Sequence, residues 1–158
     1  MFTLKEKKLG FSVIELLVVI AIISGLSAMA LLSFSGFRNA QNLRNSQADI
    51  VSLFSESKTR TIASEDSSSF GIYLESSRVV LFKGGTFSEP LSTNKQITLP
   101  SSIELSDITL SQGGNSIVFD RVSGAVGNYG TFVMRLVADT SESRIFTISQ
   151  AGIISVTK

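Results

Sequence analysis

The apolar positions of this chain fall into three regimes. Residues 11–34 read FSVIELLVVIAIISGLSAMALLSF, an almost unbroken apolar run. From Phe37 to about Ala63 the composition turns polar, yet apolar or small residues recur at Phe37, Ala40, Leu43, Ile50, Phe54 and Ile62. Steps of three, four and their multiples make one face of an amphipathic helix. From Phe70 onward short alternating segments are separated by turns, the period of β-strands.

The first two regimes predict one helix over residues 11–63, ~80 Å long. No proline precedes Pro90, and Glu56 and Arg60 form an i,i+4 pair. Ser-Glu-Asp-Ser-Ser-Ser at 64–69 ends the pattern. A heptad coiled coil is the alternative for the second half, but Gln47 and Ser57 at seam positions oppose it. Gly25 and Gly36 are places where the helix could loosen.

The third regime predicts strands at 70–75, 78–83, 95–99, 103–110, 116–120, 131–138, 144–149 and 153–156. Residues 86–94, with Pro90, read as irregular. One or two antiparallel sheets packed on the helix are expected, an α+β chain. The inward candidates are Ile72, Leu74, Val80, Phe82, Ile117, Phe119, Phe132, Met134, Leu136, Ile145 and Ile148, set against Leu43, Ile50 and Phe54.

Composition then removes whole classes of chemistry. The chain has no cysteine, histidine or tryptophan. Without histidine and cysteine, Ser/His/Asp, Cys/His and His-based zinc chemistry are excluded, and carboxylate or lysine chemistry is what remains. No catalytic residue, metal ligand or cofactor site is expected, and the chain reads as a non-enzyme. The net charge of +1 gives no electrostatic reason for a strong polyanion partner. The 27 serines suit solvated strands and loops.

Residues 1–10, MFTLKEKKLG, place Lys5, Lys7 and Lys8 before the apolar run, and the next basic residue is Arg38. The positive-inside rule puts the N-terminus in the cytoplasm and the remainder outside. Twenty-odd apolar residues reach ~36 Å as a helix, enough for ~30 Å of hydrocarbon. Glu15 is out of place there, since an ionised carboxylate costs roughly 2.5–3.5 kcal/mol at the centre of a spanning helix. Three readings fit these residues: a secretory signal cut after Ala28-Met29-Ala30, a plain anchor with Glu15 snorkelling, or a prepilin.

Lys-Lys-Leu-Gly followed by Phe-Ser-Val-Ile-Glu-Leu-Leu resembles the prepilin processing site of type IV pilins and type II secretion pseudopilins. The resemblance implies cleavage between Gly10 and Phe11 by a prepilin peptidase, N-methylation of Phe11, and Glu15 as the fifth mature residue. Helix geometry puts Glu15 ~6 Å from the new amine. Its stronger partner is then the amine of a neighbouring subunit entering the filament. The proline common in that family near positions 31–32 is absent. Cleavage takes basic residues from 14 to 11 and acidic ones from 13 to 12. The organisation that follows is a leader at 1–10, a transmembrane and filament-core half at 11–36, an amphipathic half at 37–66, and a β-rich domain at 67–158.

A second resemblance lies in the β-rich part. Ser-Ile-Val-Phe-Asp-Arg-Val-Ser-Gly at 116–124, Gly130-Thr-Phe-Val, Arg144-Ile-Phe-Thr-Ile-Ser and Gly152-Ile-Ile-Ser are similar to the GspH/FimT minor pseudopilins and pilins. It implies a structural subunit of a type II secretion pseudopilus or type IV pilus, in the inner membrane and then in a fibre in the periplasm or outside the cell. The implied partners are other pilin or pseudopilin subunits, the inner-membrane assembly platform and the peptidase. The alternative is a DNA-uptake or adhesion pilin at a fibre tip, with Arg121, Arg135 and Arg144 as its candidate patch. A mature charge near zero and the missing basic C-terminal motif disfavour nucleic acid. Asp120, Asp139 and Glu142 are candidate calcium acids, but their spacing does not match an EF-hand.

Overall fold

The computed structural model describes residues 12–89 and 92–158, and for residues 29–35 the backbone alone. The chain divides into two compact units, Met1–Arg38 and Asn39–Lys158. A single helix, α1 (Val13–Ile62), supplies the described part of the first unit and opens the second. The Ser12 carbonyl accepts from the amides of Glu15 (3.1 Å) and Leu16 (3.2 Å), so Ser12 caps the helix. Neither Gly25 nor Gly36 interrupts it.

In the first unit every described side chain from Ser12 to Ala28 is exposed. In the second unit α1 turns a buried seam inward: Leu43, Ser46, Ile50, Leu53, Phe54, Ser57 and Thr61. This corrects the expected face at both ends. Phe37 (68% exposed), Ala40 and Ile62 lie outside it, and three polar residues lie within it. Thr61 is there because its hydroxyl joins two elements. Its Oγ1 donates to the Ser57 carbonyl at 2.7 Å and accepts from the Phe70 amide at 3.0 Å, pinning the first strand to the helix end. Arg60 stacks on the Phe70 ring at 4.4 Å and clasps Glu65 with two hydrogen bonds.

Eight strands follow among the described residues: β1 (Phe70–Leu74), β2 (Arg78–Lys83), β3 (Lys95–Thr98), β4 (Ile103–Leu110), β5 (Ser116–Val118), β6 (Gly130–Leu136), β7 (Ser143–Ile148) and β8 (Ile154–Thr157). They form two antiparallel sheets, β3-β2-β1-β5 and β4-β6-β7-β8. Their inner residues and the α1 seam share one core. Its axis is a run of rings: Phe54 on Phe132 at 6.2 Å, then Phe132 on Phe146 at 4.6 Å, with Phe119 edge-on to Phe54 at 6.5 Å.

All but one of the expected inward residues are buried. Ile145 is 39% exposed, because β7 turns Phe146 and Ile148 inward and adjacent residues of a strand face opposite ways. Val80 and Phe82 are buried but lie outside the core shared with the helix, which corrects the expectation: that core takes Val79 and Leu81 from β2, and adjacent residues of a strand face opposite ways. Phe87, in the segment after β2, stacks on Tyr73 at 4.0 Å and meets Phe82 edge-on at 5.6 Å. Gly71 makes room for this: a Cβ would come within 2.5 Å of the Phe82 ring and 2.8 Å of the Ile117 carbonyl oxygen.

Ser57 and Thr61 give a paired prediction. The buried Ser57 hydroxyl has no hydrogen-bond partner among the described residues. Ser57→Ala therefore changes stability by no more than ~0.5 kcal/mol, or raises it. Thr61→Val leaves the Phe70 amide without its acceptor and costs about 1–3 kcal/mol. Denaturant melts of the two variants distinguish them.

Candidate functional site

Of the three predicted site residues, Gly10 and Phe11 lie outside the described residues. Glu15 stands exposed in the first turn of α1, where the helix dipole favours a carboxylate. Around it Val13, Ile14, Leu16, Leu17, Val18 and Val19 are all exposed, the least of them 45%. The helix here is apolar on every side, the signature of a helix that is covered by something else. Among the described residues no helix is long and apolar enough to cross a membrane. The expected span at 11–36 includes Phe11 and the side chains of 29–35, which fall outside the description.

The buried polar residues among those described are Ser46, Ser57 and Thr61, and no acid is with them. No group of three carboxylates among the described residues is placed to hold a metal ion. Two of the candidate calcium acids, Asp120 and Asp139, bond to their own turns, and the third, Glu142, lies beside basic side chains. Asp120 Oδ1 accepts from the Ser123 amide (2.9 Å), the Ser123 hydroxyl (2.9 Å) and the Val122 amide (3.0 Å). Asp139 Oδ1 accepts from the Ser141 hydroxyl (2.6 Å) and amide (3.1 Å). Glu142 lies 3.7 Å from Lys158 and 4.0 Å from Arg144.

These bonds hold the Asp120 carboxyl below the usual aspartate range, the Ser123 amide contributing most. Because the folded value is depressed, the turn's contribution is whole above the unfolded value of about 3.9 and fades as pH falls through the folded one. An NMR titration should therefore find the Asp120 midpoint below 3.9 or so, with the Val122 and Ser123 amides shifting only in that acid window.

The three arginines do not form one surface. Arg135 and Arg144 sit on paired strands, yet Arg135 faces outward while Arg144, opposite Met134 in register, lies on the core side. Arg135 is bonded to Glu104 at 2.8 Å and lies 3.9 Å from Asp107. Arg121 stands apart on the loop after β5. Arg135 and Arg144 lie on adjoining strands, and the alternation of facing along β6 and β7 puts them on opposite sides of the sheet.

A long helix with an exposed apolar start, whose second half lies on antiparallel sheets, is the pilin-like fold. Solved structures of two proteins share the fold over 73% to 77% of this chain. The type IV minor pilin FimU of Pseudomonas aeruginosa matches in two crystal forms at 13% identity, with TM-scores of 0.55 and 0.58, covering 73% and 77% of this chain and 93% and 92% of that one. The minor pseudopilin EpsH of the Vibrio cholerae type 2 secretion system matches at 15% identity and TM-score 0.54, covering 73% of this chain and 96% of that one. At such identities the likeness is one of fold. No family model matches the sequence, and no curated protein matches it.

Proposed function

We propose that this chain is a minor pilin or pseudopilin, a structural subunit of a type II secretion pseudopilus or type IV pilus. One observation carries the reading. The helix that enters a pilin-like domain presents ten large apolar side chains to the outside between Val13 and Leu26, with a single acid, Glu15, in its first turn. Water is a poor solvent for such a helix, and a bilayer or a bundle of like helices is a good one.

On this reading residues 1–10 are a leader, removed between Gly10 and Phe11 by a prepilin peptidase, and the Phe11 amine is methylated. Residues 11–36 hold the subunit in the cytoplasmic membrane with its N-terminus inside. The assembly platform then draws it into the fibre beside other pilin subunits. Glu15 meets the Phe11 amine of a neighbour, and the domain faces outward. The exposed Glu15 carboxylate, with no bond among the described residues, supports that role.

The mass and sequence of the mature N-terminus test it. Methyl-Phe11 is the expected result. A chain beginning at Leu31 would mean secretory cleavage and would overturn the proposal.

A further inference from the structure

The outward side of α1 in the second unit has an order of its own. Gln41, Asn45, Ala48, Ser52, Ser55 and Thr59 are all exposed. Their steps of four and three make a second seam, and at ~100° per residue it points away from the buried one. A shallow groove runs along it, between Ala48, Ser52, Ser55 and Thr59. Two charges flank this seam and take part in no ion pair or hydrogen bond among the described residues: Arg44 on one side and Asp49 on the other. The neighbouring charges are already engaged within the domain. Glu56 holds Lys95 at 2.6 Å, and Lys58 donates to the Ala151 carbonyl at 2.8 Å.

Arg44 immediately precedes the seam residue Asn45, and Asp49 immediately follows the seam residue Ala48. In a parallel pair of helices those flanking positions face each other across the interface, five residues apart in sequence, and that is where interhelical ion pairs set orientation. An antiparallel pair would put the flank of Arg44 and Lys58 against itself, and the flank of Asp49 and Glu56 against itself. Like charges would then meet on both sides.

We infer that this face of α1 docks against the same face of a second copy of the chain, in parallel and in register. Arg44 of each copy meets Asp49 of the other. The occupant is a second copy because the complementary charge stands on the same helix at the required spacing, so the surface complements itself under two-fold symmetry. Small seam residues let the two backbones approach closely, and each sheet domain stays on the far side of its own helix. A seam of Ser, Thr and Asn is weak in dilute solution. The inference therefore rests on the pilin reading in one respect: confinement in a membrane supplies the concentration and the shared orientation.

Thiol cross-linking of the full chain in the membranes of producing cells tests this. The chain has no cysteine, so Ser52→Cys introduces a lone thiol. Mild oxidation should give a dimer whose mass is two copies of this chain. Asn45→Cys should also join to itself, whereas Thr98→Cys, exposed on β3, should not. Arg44→Glu and Asp49→Lys should each lower the Ser52→Cys dimer about tenfold, since two symmetric attractions become repulsions, and the double reversal should restore it.

Three results would overturn the inference: no dimer at Ser52→Cys, a thiol joined to a different protein, or charge reversals that leave the yield unchanged. Cross-linking of Asn45→Cys copies to Thr59→Cys copies in place of self-joining would overturn the parallel arrangement. Unchanged melting of the singly reversed chains excludes misfolding as the cause of a loss. Methyl-Phe11 at the mature N-terminus is read on the same samples, so failure of the pairing and failure of the pilin assignment remain distinguishable.

Discussion

Phe132→Ala should destabilise the protein by about 3–5 kcal/mol. Phe132 is fully buried on the central strand of the run β4-β6-β7. Among the described residues it is the only ring stacked with two others, Phe54 of the helix and Phe146 of the neighbouring strand. Its removal leaves a cavity lined by two aromatic faces that cannot collapse together without shifting α1 against β7. A thermal melt of the full chain in detergent should fall by roughly 10 °C. Val122→Ala, at a position 91% exposed, should stay within ~0.5 kcal/mol of the parent. A loss of under ~1 kcal/mol for Phe132→Ala would show that the ring run is not the axis of the core.

The second large effect concerns assembly rather than stability. Glu15→Val should reduce recovery in the fibre fraction at least tenfold or so, because a neighbour's amine entering an apolar bundle would then lack its counter-charge. Melting of the unit Asn39–Lys158 should not change, since Glu15 lies outside it. Glu15→Gln discriminates between charge and shape. It keeps the size and polarity of the side chain and removes the charge, so it should fail as Glu15→Val does. Normal incorporation of Glu15→Gln would reject the ion pair and leave Glu15 as a first-turn acid worth about 0.3–1 kcal/mol to its own helix.

What could be read from the sequence follows from which physical signal each element carries. Leu43, Ile50 and Phe54 recur at helical spacing and lie on the sheet side as that spacing predicts, and the alternating residues Ile72 and Leu74 of β1 and Phe132, Met134 and Leu136 of β6 lie in the same core. Ser46, Ser57 and Thr61 share that buried seam but carry no hydrophobic signal. Their burial depends on what the sheets bring against them, as the Phe70 amide shows for Thr61.

In β7 the segment Arg-Ile-Phe-Thr-Ile has Ile145 on one face and Phe146 and Ile148 on the other, so the expected inward residues Ile145 and Ile148 fall on opposite faces of the strand. Phe146 marks the inward face by stacking on Phe132 of the neighbouring strand. Glu15 was legible as an anomaly of local polarity. Arg44 and Asp49 carry no comparable signal, because single exposed charges are ordinary until the helix face between them is known to be turned outward.

The aromatic clasp on the first sheet has a consequence for handling the protein. Tyr73, Val80 and Phe82 form an apolar surface whose only described aromatic cover is Phe87, carried on a segment with two glycines at its start. The helix and the second sheet do not depend on that cover, so a nick between Gly84 and Glu89 would leave the fold standing. It would also expose a sticky face beside β3, a short edge strand with unpaired backbone groups. Damage at this segment should first be seen as clumping of still-folded molecules, with loss of solubility preceding any loss of structure.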